Sequence, residues 1–148
     1  MIQRRVFLAA GVAAAAGAFG IARFAIPAPP ENLSLQSLSG SELASDPGTL
    51  LVDIRRPDEW KKTGVVEGAL LVTYTSPENF LKAVALKIAD GQQLALICRS
   101  GNRTSRASRK IAGLVDFNVV DVQGGMLRIL KEGYRPVAPS GEMGCQTC

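Results

Sequence analysis

The sequence predicts an α/β protein with one central parallel sheet and helices on both of its faces. Three observations carry that prediction. Apolar runs of strand length alternate with helix-like runs from Thr49 to Lys131, and strands that alternate with helices form parallel sheets covered on both sides. The runs "TLLVDI" and "QLALI" are apolar at successive positions, the pattern of strands buried on both faces. The chain has 148 residues, of which 47% are hydrophobic and 20% charged, ample for one core and too short for two full domains.

Taken in order, residues 26–32 form a proline-rich linker within "IPAPPENL". Ser39-Gly40-Ser41-Glu42 has the spacing of a capping box and opens a short helix. Thr49 to Ile54 is the first buried strand, and Pro57 suits the first turn of the helix "PDEWKK". "GALLV" (Gly68 to Val72) is the next strand. Ser76-Pro77 starts the helix "PENFLKAVALKIAD", with Phe80, Val84, Leu86 and Ile88 as its apolar face. "QLALIC" is a strand, "TSRASRKIAGL" a helix and "NVVDV" a strand. Gly124-Gly125 precedes a last helix from Met126 to Lys131. The domain spans 33–137, and 138–148 form a tail ending in a Cys-x-x-Cys pair.

Residues 1–25 read as a targeting segment. They have a basic start, an uncharged run rich in Ala and Gly from Val6 to Ala22, and small residues where a peptidase can cut. Arg4-Arg5-Val6-Phe7-Leu8 resembles a twin-arginine export signal. The run falls short of the roughly 20 apolar residues of a spanning helix. The expectation is export to a bacterial periplasm with the signal cleaved, and membrane contact only through the signal if it is retained. Arg4, Arg5 and Arg23 also account for most of the formal charge of +4. Without them 14 basic residues face 13 acidic ones, which gives no support to nucleic acid as a partner.

The chain has three cysteines and no histidine. Cysteine and histidine alone therefore cannot fill a four-ligand zinc site, and imidazole-assisted nucleophilic catalysis is excluded. No metal and no cofactor is expected.

Attention falls on "CRSGNRT", Cys98 to Thr104. In parallel sheets ligands bind beyond the carboxyl ends of strands, and Cys98 stands at such an end. A reactive thiolate needs positive potential and an accessible position. Gly101 permits a tight turn of inward-pointing N–H groups, a helix begins near Thr104, and Arg99 and Arg103 add charge. A structural reading remains open beside this one, with Cys98 as a small hydrophobe closing a strand and the arginines as a solvated helix face.

"CRSGNRT" resembles the active-site loop of the rhodanese family of sulfurtransferases. "LLVDIRRPDEW" is similar to that family's strand, Asp-x-Arg and Glu-aromatic motif. "GVVEGAL", "VQGGM" and "GYRPV" follow in the family's order, so the resemblance runs from about Leu33 to Val137. Val65 departs from the usual histidine, and Leu127 to Leu130 stand where a tryptophan is often found.

The resemblance implies a rhodanese-like fold and a nucleophilic Cys98 that accepts sulfur as a persulfide. It implies that Arg99 and Arg103 hold an anionic sulfur donor and that Ser100, Gly101, Asn102, Arg103 and Thr104 cradle the outer sulfur. It also implies Asp53 as a carboxylate below the loop and Arg55 as a scaffold arginine. Arg55 is expected to pair with Glu59, because the helix four residues on supplies that partner, and Trp60 to lie in the core. A thiol or a protein accepts the sulfur. The alternatives are a sulfur carrier without turnover of its own, and a phosphatase or arsenate reductase of the same superfamily, whose loops carry one residue more between cysteine and arginine.

Cys145 and Cys148, in "GEMGCQTC", admit two readings. They form a small disulfide in a solvated tail, or they form a redox pair on a flexible tail. About ten residues of such a tail span roughly 20 Å, and its thiolate would then release sulfide from Cys98.

Overall fold

The computed structural model describes residues 28–148; the export signal expected at 1–25 lies outside the described residues. Five strands alternate with five helices: β1 (Leu33–Gln36), α1 (Gly40–Ser45), β2 (Thr49–Asp53), α2 (Pro57–Thr63), β3 (Leu70–Leu71), α3 (Pro77–Val84), β4 (Gln93–Ile97), α4 (Asn102–Ala112), β5 (Val119–Val122) and α5 (Gly125–Lys131). All pair in parallel, in the order β1-β5-β4-β2-β3. β4 therefore sits at the centre, and its carboxyl end points into the crevice where such sheets bind ligands.

Alternate residues of the central strands feed two cores, one on each face. Leu51, Ala95 and Ile97 join Leu43 of α1, Trp60 of α2 and Met126 and Ile129 of α5. Val52, Leu94 and Leu96 join Phe80 and Val84 of α3 and Ala107 and Ile111 of α4. Cys98 follows Leu96 by two residues and lies with the second core.

Local signals place most of the helix starts. Ser39 Oγ accepts from the Glu42 N–H at 3.2 Å while Glu42 Oε2 accepts from the Ser39 N–H at 2.7 Å, completing the expected capping box. Ser76 Oγ likewise accepts from the Asn79 N–H, with Pro77 in the first turn. Trp60 is buried as expected.

Four expectations need correction. A short strand, β1, lies beyond the elements expected and pairs with β5. The "GALLV" strand shrinks to Leu70–Leu71. α3 stops at Val84, so Leu86, expected on its apolar face, is instead 94% exposed; past Val84 the helical periodicity no longer applies.

The fourth correction concerns the tail, which is neither solvated nor free. The outer edge of β3 presents unpaired backbone groups, and the Leu71 N–H donates to Met143 O at 2.7 Å. Val65 and Val137 form an antiparallel bridge, so Val65 packs where a histidine is usual in the family. Cys145 is buried in the first core, and Cys145 and Cys148 form a disulfide.

Candidate active site

The Cys98–Thr104 loop is held from below by α5. The Met126 N–H donates to Cys98 O at 2.8 Å and the Leu127 N–H to Arg99 O at 2.9 Å. This approach requires Gly125: its φ is +56°, and a Cβ there would strike Cys98 O and the Arg99 backbone. Gly101, at φ +91°, turns the chain so that its N–H donates to Cys98 Sγ at 3.2 Å. The Cys98 thiol donates to Thr104 Oγ1 at 3.8 Å, and the Thr104 hydroxyl donates to Gly101 O at 3.0 Å.

These contacts alter one expectation. Cys98 is only 1% exposed, so the sulfur lies at the base of the loop and not at an accessible surface. The turn that supplies the Gly101 N–H also folds over the sulfur. Ser100 and Asn102 are exposed, and Thr104 is fully buried.

The two arginine-carboxylate pairings are exchanged relative to expectation. Arg55 does not pair with the Glu59 side chain. It forms a buried fork on Asp53, with Nη2 to Oδ2 at 2.7 Å and Nε to Oδ1 at 2.9 Å. Its other donors reach Thr63 Oγ1, Gly64 O and, more distantly, Glu59 O. Asp53 is thus no bare carboxylate below the loop, and the pair pins the end of β2 to α2. A guanidinium buried this fully needs a charge partner, and Asp53 is the nearest on its own strand.

Glu59 instead accepts from Arg103, with Arg103 Nη1 to Oε2 at 3.0 Å, and from the Arg56 N–H at 3.0 Å. Burial pushes the Glu59 carboxyl up, but the Arg103 hydrogen bond, the Arg56 N–H and both arginine charges outweigh it and hold it below the ordinary value. Arg99 is exposed and belongs to none of the ion pairs among the described residues. It borders a cleft of about 280 Å³ between α2 and α5, with Lys62, Leu127 and Leu130 among its other walls.

The structure does not bring Cys145 and Cys148 to Cys98. Cys145 packs in the core on one face of the sheet and Cys98 in the core on the other. Sequence reasoning missed Asp121, an acid on β5 that is wholly buried. The available signal was an aspartate inside the otherwise apolar run "VVDV".

The rhodanese-like domain family model matches residues 39–132. The chain belongs to this family. This rhodanese-like domain is 28% identical over 106 residues to a sulfurtransferase of Allochromatium vinosum, covering 72% of this chain and 94% of that protein. A rhodanese-related protein from Thermoplasma volcanium superposes with a TM-score of 0.54 at 25% identity, over 70% of this chain and 99% of that one. A Rhodopseudomonas palustris protein of unknown function, titled "Possible Tyrosine Phosphatase", superposes with a TM-score of 0.54. It is 16% identical, over 70% of this chain and 85% of that one, and shares the fold alone.

Proposed function

We propose that this rhodanese-like domain is a sulfurtransferase that carries sulfane sulfur as a persulfide on Cys98, taking it from thiosulfate or a persulfide donor. The observation that carries the reading is the loop: four residues separate Cys98 from Arg103, and a backbone N–H is already aimed at the sulfur. So small a ring suits one added sulfur atom better than a tetrahedral oxyanion. The Allochromatium sulfurtransferase, similar over most of both chains, supports the same chemistry.

The Cys98 thiolate attacks the outer sulfur of thiosulfate. A new S–S bond forms, the bond to the sulfonate sulfur breaks, and sulfite leaves with the electron pair. That leaving group needs no proton, which suits a site without histidine. Arg99, unpaired among the described residues, meets the donor's negative charge, and Arg103 adds positive potential from its pair with Glu59. Cyanide or a thiol then removes the outer sulfur and restores Cys98.

A carrier without turnover of its own would use the same loop, and rapid loading only from a partner persulfide would identify it. Mass spectrometry of the protein after exposure to thiosulfate tests the main reading. One added sulfur, located on Cys98 and absent from Cys98→Ser, is the expected result. No adduct with thiosulfate or with a persulfide donor would overturn it. Residues 1–25 are proposed to export the domain through the twin-arginine route, in which case Arg4→Lys with Arg5→Lys stops export.

A further inference from the structure

Asp121 lies on β5, opposite Leu96 of β4 and Leu35 of β1. It is fully buried, and its Oδ1 has no hydrogen-bond partner among the described residues. Its Oδ2 accepts from Gln123 Nε2 at 3.2 Å. Burial pushes its carboxyl up, and the neighbouring Thr104 hydroxyl and Gln123 amide offset only part of this. An orphaned carboxylate oxygen in an apolar layer is costly unless it has a use or a proton.

Thr104 is what connects it to the loop. The Thr104 hydroxyl stands beside the Asp121 carboxyl, accepts from the Cys98 thiol at 3.8 Å and donates to Gly101 O. Both Cys98 and Thr104 are buried, so the thiol proton has no short path to bulk water and no histidine to receive it. The other groups packed on Asp121 carry no charge: Leu96 from β4, Leu35 from β1, and Thr104 from α4. The basic residues of α4 lie elsewhere, Arg103 with Glu59 and Arg106, Arg109 and Lys110 at the surface.

We propose that Asp121 receives the Cys98 proton through Thr104, making it a positioning residue that sets the ionisation of the loop cysteine. In this step the Sγ–H bond breaks and its proton passes to Thr104 Oγ1. The Thr104 hydroxyl proton turns from Gly101 O and passes to Asp121 Oδ1. The result is a Cys98 thiolate, an unchanged Thr104 hydroxyl now donating to the sulfur, and a neutral Asp121 acid. Charge is conserved, and no outside base is needed.

This deepens the reading of Cys98 as the nucleophile, but its test does not depend on sulfur transfer. Two groups that share a proton titrate as a pair in two steps. Thiolate absorbance is followed against pH, with Cys98→Ser as the blank. Cys98 is the sole free cysteine, so the signal has one source. The parent is expected to show two steps, because between them the proton divides between Cys98 and Asp121. Asp121→Asn, close in size and unable to take the proton, should show one. Thr104→Val should also show one, whereas Thr104→Ser, which keeps the hydroxyl, should show two. A single step in the parent, or an Asp121→Asn curve that superimposes on the parent, overturns the proposal. If the two-step pattern holds while no persulfide forms, the proton relay stands and the sulfur-transfer reading fails.

Discussion

Glu59 and Arg103 form the ion pair that ties α2 to α4 across the mouth of the loop, at 3.0 Å between Arg103 Nη1 and Glu59 Oε2. The residues are 44 positions apart in the chain, and they fix the last arginine of the loop relative to Cys98. Arg103→Ala leaves a mostly buried carboxylate with only the Arg56 N–H. It is expected to cost about 1–3 kcal/mol in stability and to weaken thiosulfate use more than use of an uncharged persulfide. The folded Glu59 carboxyl is held below its ordinary 4.5, so its contribution is present above 4.5 and is lost as pH falls through the folded value. Urea unfolding of Glu59→Gln and the parent should therefore converge in acid; a constant gap would assign the effect to packing.

The Asp53–Arg55 pair is buried on both sides. Asp53→Asn removes one charge and leaves Arg55 uncompensated, an expected loss of about 3–5 kcal/mol. Denaturant midpoints measure it. A loss below 1 kcal/mol would show that Thr63 and Gly64 alone hold the guanidinium.

Inserting one glycine between Gly101 and Asn102 enlarges the ring around Cys98. Sulfur transfer should fall sharply, and hydrolysis of a phosphate or arsenate ester becomes the activity to assay. An undiminished transfer rate after insertion would show that loop length does not select sulfur.

The Cys145–Cys148 disulfide holds a tail that covers the β3 edge. Closing so short a loop contributes about 2 kcal/mol in the chain-entropy account. The double variant Cys145→Ser with Cys148→Ser should lose about that much in thermal or urea unfolding. Transfer to cyanide should survive, because Cys145 packs on the opposite face of the sheet from Cys98. Loss of transfer at unchanged stability would return the pair to the catalytic cycle.

Asp121 carries a raised carboxyl in the fold. Such a group contributes stability below its unfolded value, 3.8, and loses that contribution as pH rises through the folded value. Asp121→Asn has no such dependence. Relative to the parent it should gain stability from acid to neutral pH, as read from urea midpoints at several pH values. A parallel pH dependence in the two proteins would mean that Asp121 finds a partner for its charge.

The order of strands and helices, the capping box at Ser39 and Glu42, the two-sided burial of β2 and β4, and a cysteine loop at a strand end were all legible in the sequence. Each is written in neighbouring residues, through periodicity, a cap or a turn-forming glycine. The limits of α3 and β3 were less so, because Leu86 and the "GALLV" run satisfy a local pattern that their packing does not use.

Sequence alone determined that this chain would build a parallel α/β sheet and set Cys98, Gly101 and two arginines in one loop at its edge. Only the tertiary structure decided which carboxylate each arginine meets, Asp53 for Arg55 and Glu59 for Arg103, that the Cys98 sulfur is covered, and that the tail closes on β3. The reason is that several acids lie within reach of each arginine along the chain, and all look alike in one dimension. The choice among them is made by desolvation, which favours the pair that keeps its hydrogen bonds once water is gone, and that depends on elements 44 residues apart meeting in space.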